Sequence, residues 1–129
     1  MTRINAGIPP MELHDKHLIA EFRELTRIPN AVRTGRADLS KPIPDTFTLG
    51  NGHVRFFYDK LGYLFSRYKT IVRDCERRGF KVKPHYEAWD NIPADLWGHW
   101  TPTREAREAV EARIAERIAS WSVKPHSLT

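Results

Sequence analysis

Apolar residues recur at helical spacing in three stretches of this 129-residue chain, and the segments between them are rich in Pro, Gly and aromatic residues. In the first stretch Leu18, Phe22 and Leu25 fall at i, i+4 and i+7, with Ile19 widening the stripe, which predicts an amphipathic helix from about Met11 to about Ile28. Pro9 and Pro10 precede it, and Pro29 is placed to end it. The second stretch predicts a helix from near Phe56 to Arg78, with Leu61, Leu64, Phe65, Tyr68, Ile71, Val72 and Cys75 on its inner side. Arg77 and Arg78 complement the negative end of that helix dipole, Gly79 suits a left-handed residue just past the helix, and Phe80 is placed to fold back onto Cys75. The third helix is expected to take Thr101 as its N-cap with Pro102 at the first helical position. It should run to about Ser120, with Val110, Ile114, Ile118 and Trp121 as its stripe.

Residues 29–52 and 80–100 lack strand alternation and each holds several prolines or glycines, so both are expected to be long loops. The rings of the second loop, Tyr86, Trp89, Trp97 and Trp100, have two readings, as filler for a core built on few helices or as a platform on which bases stack. Filler is the commoner use. The predicted architecture is all-α: a single compact domain over residues 1–129, with three main helices joined by long loops.

Composition then narrows the setting. No apolar run approaches the ~20 residues a membrane-spanning helix needs, and the first residues lack the apolar segment of a secretory signal. Cys75 is the single cysteine, which excludes an internal disulfide and an all-cysteine metal site and fits a reducing, cytoplasmic compartment. Twenty-one Lys and Arg against 16 Asp and Glu give a net charge of +5, which suits an anionic partner. Arginine carries most of the excess, and its guanidinium fork matches phosphate oxygens. No apolar stripe is left over for an interface, so a monomer is expected.

The polar face of the first helix, in "DKHLIAEFRELTR", carries a distinct charge pattern. Lys16, Arg23 and Arg27 fall at i, i+7 and i+11 along one side, with His17, Glu21 and Glu24 at i, i+4 and i+7 beside them. One reading is a solvated face in which Glu21 and Glu24 pair with those cations. The other is a site in which a carboxylate among cations stays ionised to stabilise a positive centre or move a proton, while the cations hold phosphates. Arg113 and Arg117 on the third helix stand four apart, where like charges repel unless an anion lies between them. His53 is expected to be a structural hydrogen-bonder, and neither a zinc spacing nor a phosphate-binding glycine loop is present.

"MTRIN", "DKHLIAEFRELTRIP", "FTLGNGHVRFFYDKLGYL" and "RRGFKV", in this order, resemble the bacteriophage endonuclease V family of pyrimidine-dimer DNA glycosylases with AP-lyase activity, over about Met1 to Ala119. The resemblance implies a compact all-α fold, damaged double-stranded DNA as substrate, and no metal or organic cofactor. It further implies that the α-amine of Thr2, exposed by removal of Met1, is the nucleophile that expels the damaged base and forms a Schiff base with the sugar. An α-amine titrates near ~7.7–8.0, so roughly a tenth of it is free base at neutral pH, and neighbouring cations raise that share. Glu24 corresponds to the catalytic carboxylate. Arg3, Arg23 and Arg27 correspond to cations around the lesion phosphates, Arg113 and Arg117 to basic DNA-binding positions on the last helix, and His17 and Glu21 to residues close to the nucleophile. Met1, where retained, is expected over the site near Glu24.

Three departures bear on the transfer. "NAGIPPMEL" is one residue longer than the family's usual spacing, so the Pro9-Pro10 turn must absorb the extra length if Thr2 is to reach Glu24. Lys16, counted here among the DNA-binding residues, stands where the family often has glutamine. The chain ends "SWSVKPHSLT", keeping only Trp121 of the family's aromatic tail. The tail leaves room for two alternatives to dimer excision: the same chemistry on oxidised or ring-opened purines, or a basic DNA-binding module without catalysis.

Overall fold

The computed structural model describes residues 2–123, with side chains described through Trp121; Met1 and residues 124–129 lie outside the described residues. Among the described residues the helices are α1 (Asp15–Leu25), α2 (Arg27–Arg33), α3 (His53–Phe56), α4 (Leu61–Arg77) and α5 (Arg104–Val123). Single turns of 3-10 helix occur at Pro10–Glu12, Tyr86–Trp89 and Ala94–Leu96, and an antiparallel bridge joins Lys60 to Trp97. The all-α expectation holds.

The first predicted helix is shorter at its start and broken near its end. The Nδ1 of His14 accepts the amide of Lys16 at 3.1 Å, so α1 is capped three residues later than the periodicity indicates. Pro29 does not terminate a helix; it sits in the first turn of α2, where a missing N–H costs nothing. Its effect is felt four residues earlier. The bond that proline cannot make would have ended on the carbonyl of Leu25, and Leu25 is where α1 stops.

The second predicted helix begins later than expected, at Leu61, behind a separate short helix. α3 ends at Phe56, and α4 begins at Leu61 after a turn tightened by bonds from Phe57 N to Val54 O and from Lys60 N to Phe57 O. The Trp97–Gly98 backbone docks into this break: Gly98 N donates to Asp59 O at 3.1 Å and Tyr63 N to Gly98 O at 3.0 Å. Only glycine permits so close an approach, since a Cβ on Gly98 would stand 2.2 Å from Asp59 O and one on Gly62 would stand 2.6 Å from Trp97 O. The end of α4 matches the sequence reading. Gly79 adopts φ +87°, its amide reaches Glu76 O, and Phe80 N returns to Cys75 O at 2.9 Å, the paired bonds of a Schellman motif.

The N-cap of α5 is Thr103, not Thr101: its Oγ1 accepts the amide of Ala106 at 3.0 Å. Ala106 and Val110 are buried and Ile114 is half-buried, but Ile118, expected in the stripe, is 40% exposed, so the helix leaves the core after its third turn.

α1 packs on α4 and α2 on the Tyr86–Trp89 turn. The core is built on Leu18, Leu25, Ile28, Leu61, Leu64, Tyr68 and Ile71, with Cys75 buried among them. The loop rings are packing elements. Trp89 is buried and donates Nε1–H to Leu61 O at 3.0 Å, Trp97 packs edge-on to Phe65, and Trp100 contacts Phe47, Phe56, Phe57 and Tyr63. Tyr86, though edge-on to Phe65 and Tyr68, remains 40% exposed. No described helix is long and apolar enough to cross a membrane.

Candidate active site

The segment Thr2–Ala6 crosses the molecule between α1, α3 and α5, and Ile4, Asn5 and Ala6 are buried. Consecutive residues are held by different elements. Arg3 N donates to Glu24 Oε1 of α1 at 2.9 Å, and Ile4 N donates to His53 Nε2 of α3 at 3.0 Å. The amide of Asn5 gives Nδ2–H to Glu21 Oε1 at 2.8 Å and accepts at Oδ1 from Arg113 Nη2 of α5 at 3.2 Å. Three covalent bonds separate Arg3 N from Thr2 N, so this bond ties the backbone next to Thr2 to Glu24. The "NAGIPPMEL" segment that follows forms the Pro10–Glu12 turn, and Arg3 N reaches Glu24 in α1 beyond it.

Arg3, Asn5, His17, Ala20, Glu21, Glu24, Arg113, Ile114 and Arg117 line one small pocket of about 50 Å³. Thr2 itself lines a neighbouring depression of about 410 Å³ with the Gly50–Gly52 turn, His53, Arg55 and Tyr58. Glu21 is only 1% exposed, and its carboxylate is bound by the guanidinium of Arg67 through both Nε and Nη2. Arg67 also donates Nη1–H to Ile8 O at 2.9 Å. Burial works against the Arg67 charge, but the Glu21 carboxylate outweighs it and holds the guanidinium's pKa above its ordinary value. Glu21 is therefore neutralised from behind. The pocket is left with Arg3, Arg113 and Arg117 against the single carboxylate of Glu24. Burial lowers the pKa of Arg113, and the positive charges of Arg3 and Arg117 lower it further, though an arginine still keeps its proton at neutral pH. A cluster of this kind is relieved by an anion.

His17 shares the pocket as a neutral ring. Burial lowers its pKa, and His14, Arg113, Arg117 and Arg3 push the same way. Its Nδ1 is buried and has no hydrogen-bond partner among the described residues. Trp121 lies 5.0 Å from both His14 and His17, ring to ring, and Lys16 Nζ stands 4.6 Å from the Trp121 centroid.

The structure thus gathers Arg3, His17, Glu21, Glu24, Arg113 and Arg117, expected from the sequence, around one pocket, while Thr2, next to Arg3 in the chain, lines the neighbouring depression. Lys16, Arg23 and Arg27 are exposed outside that pocket, and the line they were expected to form crosses the break after Leu25, because Arg27 belongs to α2. Glu21 pairs with Arg67 rather than with the cations of its own helix. Asn5 and Arg67 were not singled out in the sequence, and His53 proves to be the structural hydrogen-bonder expected. Met1, expected over Glu24, lies outside the described residues.

A family model described as pyrimidine dimer DNA glycosylase matches residues 1–88. The match spans Thr2, Arg3, His53, Arg67 and all of α1, and it stops short of α5, so Arg113 and Arg117 enter the site from outside it. The chain belongs to the pyrimidine dimer DNA glycosylase family.

Proposed function

We propose that this member of the pyrimidine dimer DNA glycosylase family excises the dimerised base with the α-amine of Thr2, freed by removal of Met1, and then nicks the abasic site. One observation supports the reading above others: the backbone next to Thr2 is tied to Glu24 through the amide of Arg3, beside Arg3, Arg113 and Arg117, which have no carboxylate salt-bridge partner among the described residues. The cations suit the phosphates that flank a lesion, and they disfavour protonation of a nearby amine.

In the first step the amine lone pair attacks C1′ of the deoxyribose while the glycosidic electron pair departs with the base, which takes up a proton. Glu24 stabilises the cationic sugar. Loss of the amine proton and opening of the ring at O4′ give the protonated Schiff base. Removal of a C2′ proton, with Glu24 as the base, then expels the 3′ phosphate by β-elimination, and water releases the amine. Arg3, Arg113 and Arg117 hold phosphates directly. Glu21 acts one residue removed, through Asn5, to set the angle of Arg113. Lys16, Arg23 and Arg27 extend the basic surface along the duplex.

The test is borohydride trapping of the processed protein on duplexes carrying a cyclobutane dimer, an abasic site or a ring-opened purine. The expected result is a covalent adduct on the first two, mapped to the Thr2 nitrogen by mass spectrometry. Glu24→Gln should lower excision by on the order of 100-fold while keeping DNA affinity. An adduct on a lysine would refute the amine, an adduct on the purine duplex but not on the dimer would favour the other lesion class, and binding without any adduct would favour the non-catalytic module.

A further inference from the structure

A nucleophile at a chain terminus faces a difficulty: the first residues of a chain are the least ordered unless something ties them down. Glu24 cannot supply the whole restraint, since the same carboxylate is to follow a changing charge on the sugar. The second restraint is His53. Its Nδ1 lies 2.8 Å from Thr48 O, and a carbonyl only accepts, so Nδ1 carries the proton and Nε2 is left as a bare acceptor. That acceptor meets the amide of Ile4 at 3.0 Å, two residues from the amine. The ring is held in plane by Phe47 and Phe57, edge-on at 5.3 and 5.5 Å. Burial lowers its pKa; among the charges that face it, Arg113 and Arg3 lower it further and Glu21 opposes them, so the ring stays a neutral acceptor. The same turn that carries His53 walls the depression beside Thr2.

We propose that His53 is a positioning residue for the reaction: its Nε2 fixes the backbone at Ile4 and thereby the reach of the Thr2 amine towards C1′. The inference rests on the amine reading above. A displacement of about 1 Å at a reacting atom can cost on the order of 100-fold in rate. The bond therefore acts on the chemical step rather than on DNA affinity.

Two substitutions separate the two faces of the ring. In His53→Gln an amide oxygen can reach the place of Nε2 and accept from Ile4. In His53→Asn the shorter amide reaches only the place of Nδ1, keeping Thr48 O and losing Ile4. At saturating abasic duplex, His53→Asn should trap roughly ten- to 100-fold more slowly than the unsubstituted protein, and His53→Gln within about threefold of it, with equal affinities for a duplex bearing a non-reactive abasic analogue. Equal trapping rates for the two variants, or a loss confined to affinity, would overturn the inference. So would NMR of the unsubstituted protein showing the proton on Nε2 or an unprotected Ile4 amide, a measurement that needs no variant to fold. Absence of any adduct from the unsubstituted protein would instead overturn the amine reading and carry this inference with it.

Discussion

Arg67→Met tests the buried foundation of the site. The substitution keeps an unbranched apolar stem in place of the arginine's and removes three hydrogen bonds: those from Nε and Nη2 to Glu21 and that from Nη1 to Ile8 O. Glu21, whose side chain is 0% exposed, keeps only the Asn5 amide. Leaving a buried carboxylate without its cation costs about 3–5 kcal/mol, against a total stability of about 5–15 kcal/mol for a typical domain. For a chain of this size about 1 kcal/mol corresponds to about 3–4 °C in Tm, so the midpoint should drop by about 10–20 °C. Removing the carboxylate as well, in Arg67→Met with Glu21→Leu, should restore most of the loss, because the desolvation penalty of both charges disappears together. Asn5 would then have no anion to orient it, so Arg113 should lose its hold while the fold is sound. Calorimetric melting of both variants, with DNA binding measured on the double variant, checks both halves. A single variant within about 1 kcal/mol of the parent, or a double variant as unstable as the single, would refute the account of Glu21 as a charge neutralised from behind.

Two further outcomes follow from the charges. Arg117→Ala should weaken binding to damaged and undamaged duplex alike and make the slope of log K against log salt shallower by about 0.9, as for one phosphate contact; a slope unchanged within error in a salt titration would remove Arg117 from the phosphate contacts. His17 and His53 both have pKa values lowered in the folded protein from the ordinary 6.5. Below that value the unfolded chain binds more protons than the folded one, so their contribution to stability is full above about pH 6.5 and is lost as the pH falls towards the folded values. Tm should decline from about pH 7.5 to about pH 5.5, and less steeply in His53→Gln; a flat or rising Tm over that window would contradict the burial of these rings as neutral bases.

The parts of the fold that were legible are those whose determinants sit within a few residues of one another. Arg78, Gly79 and Phe80 specify the end of α4 locally, and the structure gives Gly79 the expected positive φ and returns Phe80 to Cys75. The break after Leu25 was equally local, but the rule acts four residues upstream of the proline, and placing the stop at Pro29 overlooked that offset. The Glu21–Arg67 pair left a trace: each is a charge at an inner position of an apolar stripe, Glu21 between Leu18 and Leu25, Arg67 between Leu64 and Ile71. Helical spacing puts both inside, yet only the packing of α1 on α4 decides that they meet. The contact from Arg113 to Asn5 spans 108 positions of sequence and rests on where α5 returns to the first helix, which no local pattern encodes. For Arg113 and Arg117 the resemblance supplied what the spacing could not.

Gathering these residues at the start of the chain has a physical cost and a consequence. Fixing the backbone of a residue costs roughly 1–2 kcal/mol of conformational entropy, and residues at a terminus have covalent restraint on one side only. Here burial of Ile4, Asn5 and Ala6 meets that cost, while three separate elements, α1, α3 and α5, each grip one of three consecutive residues. The grips are not equivalent. Those on Ile4 and Asn5 end on groups that need not change charge during the reaction. The grip on Arg3 ends on Glu24, to which the reading assigns the chemistry. Glutamine at position 24 can keep an oxygen for the Arg3 amide while losing the negative charge, so Glu24→Gln separates positioning from charge stabilisation. On the proposed reading, that division of labour gives the second restraint at His53 its use: the Thr2 amine would stay placed while Glu24 gains and gives up a proton.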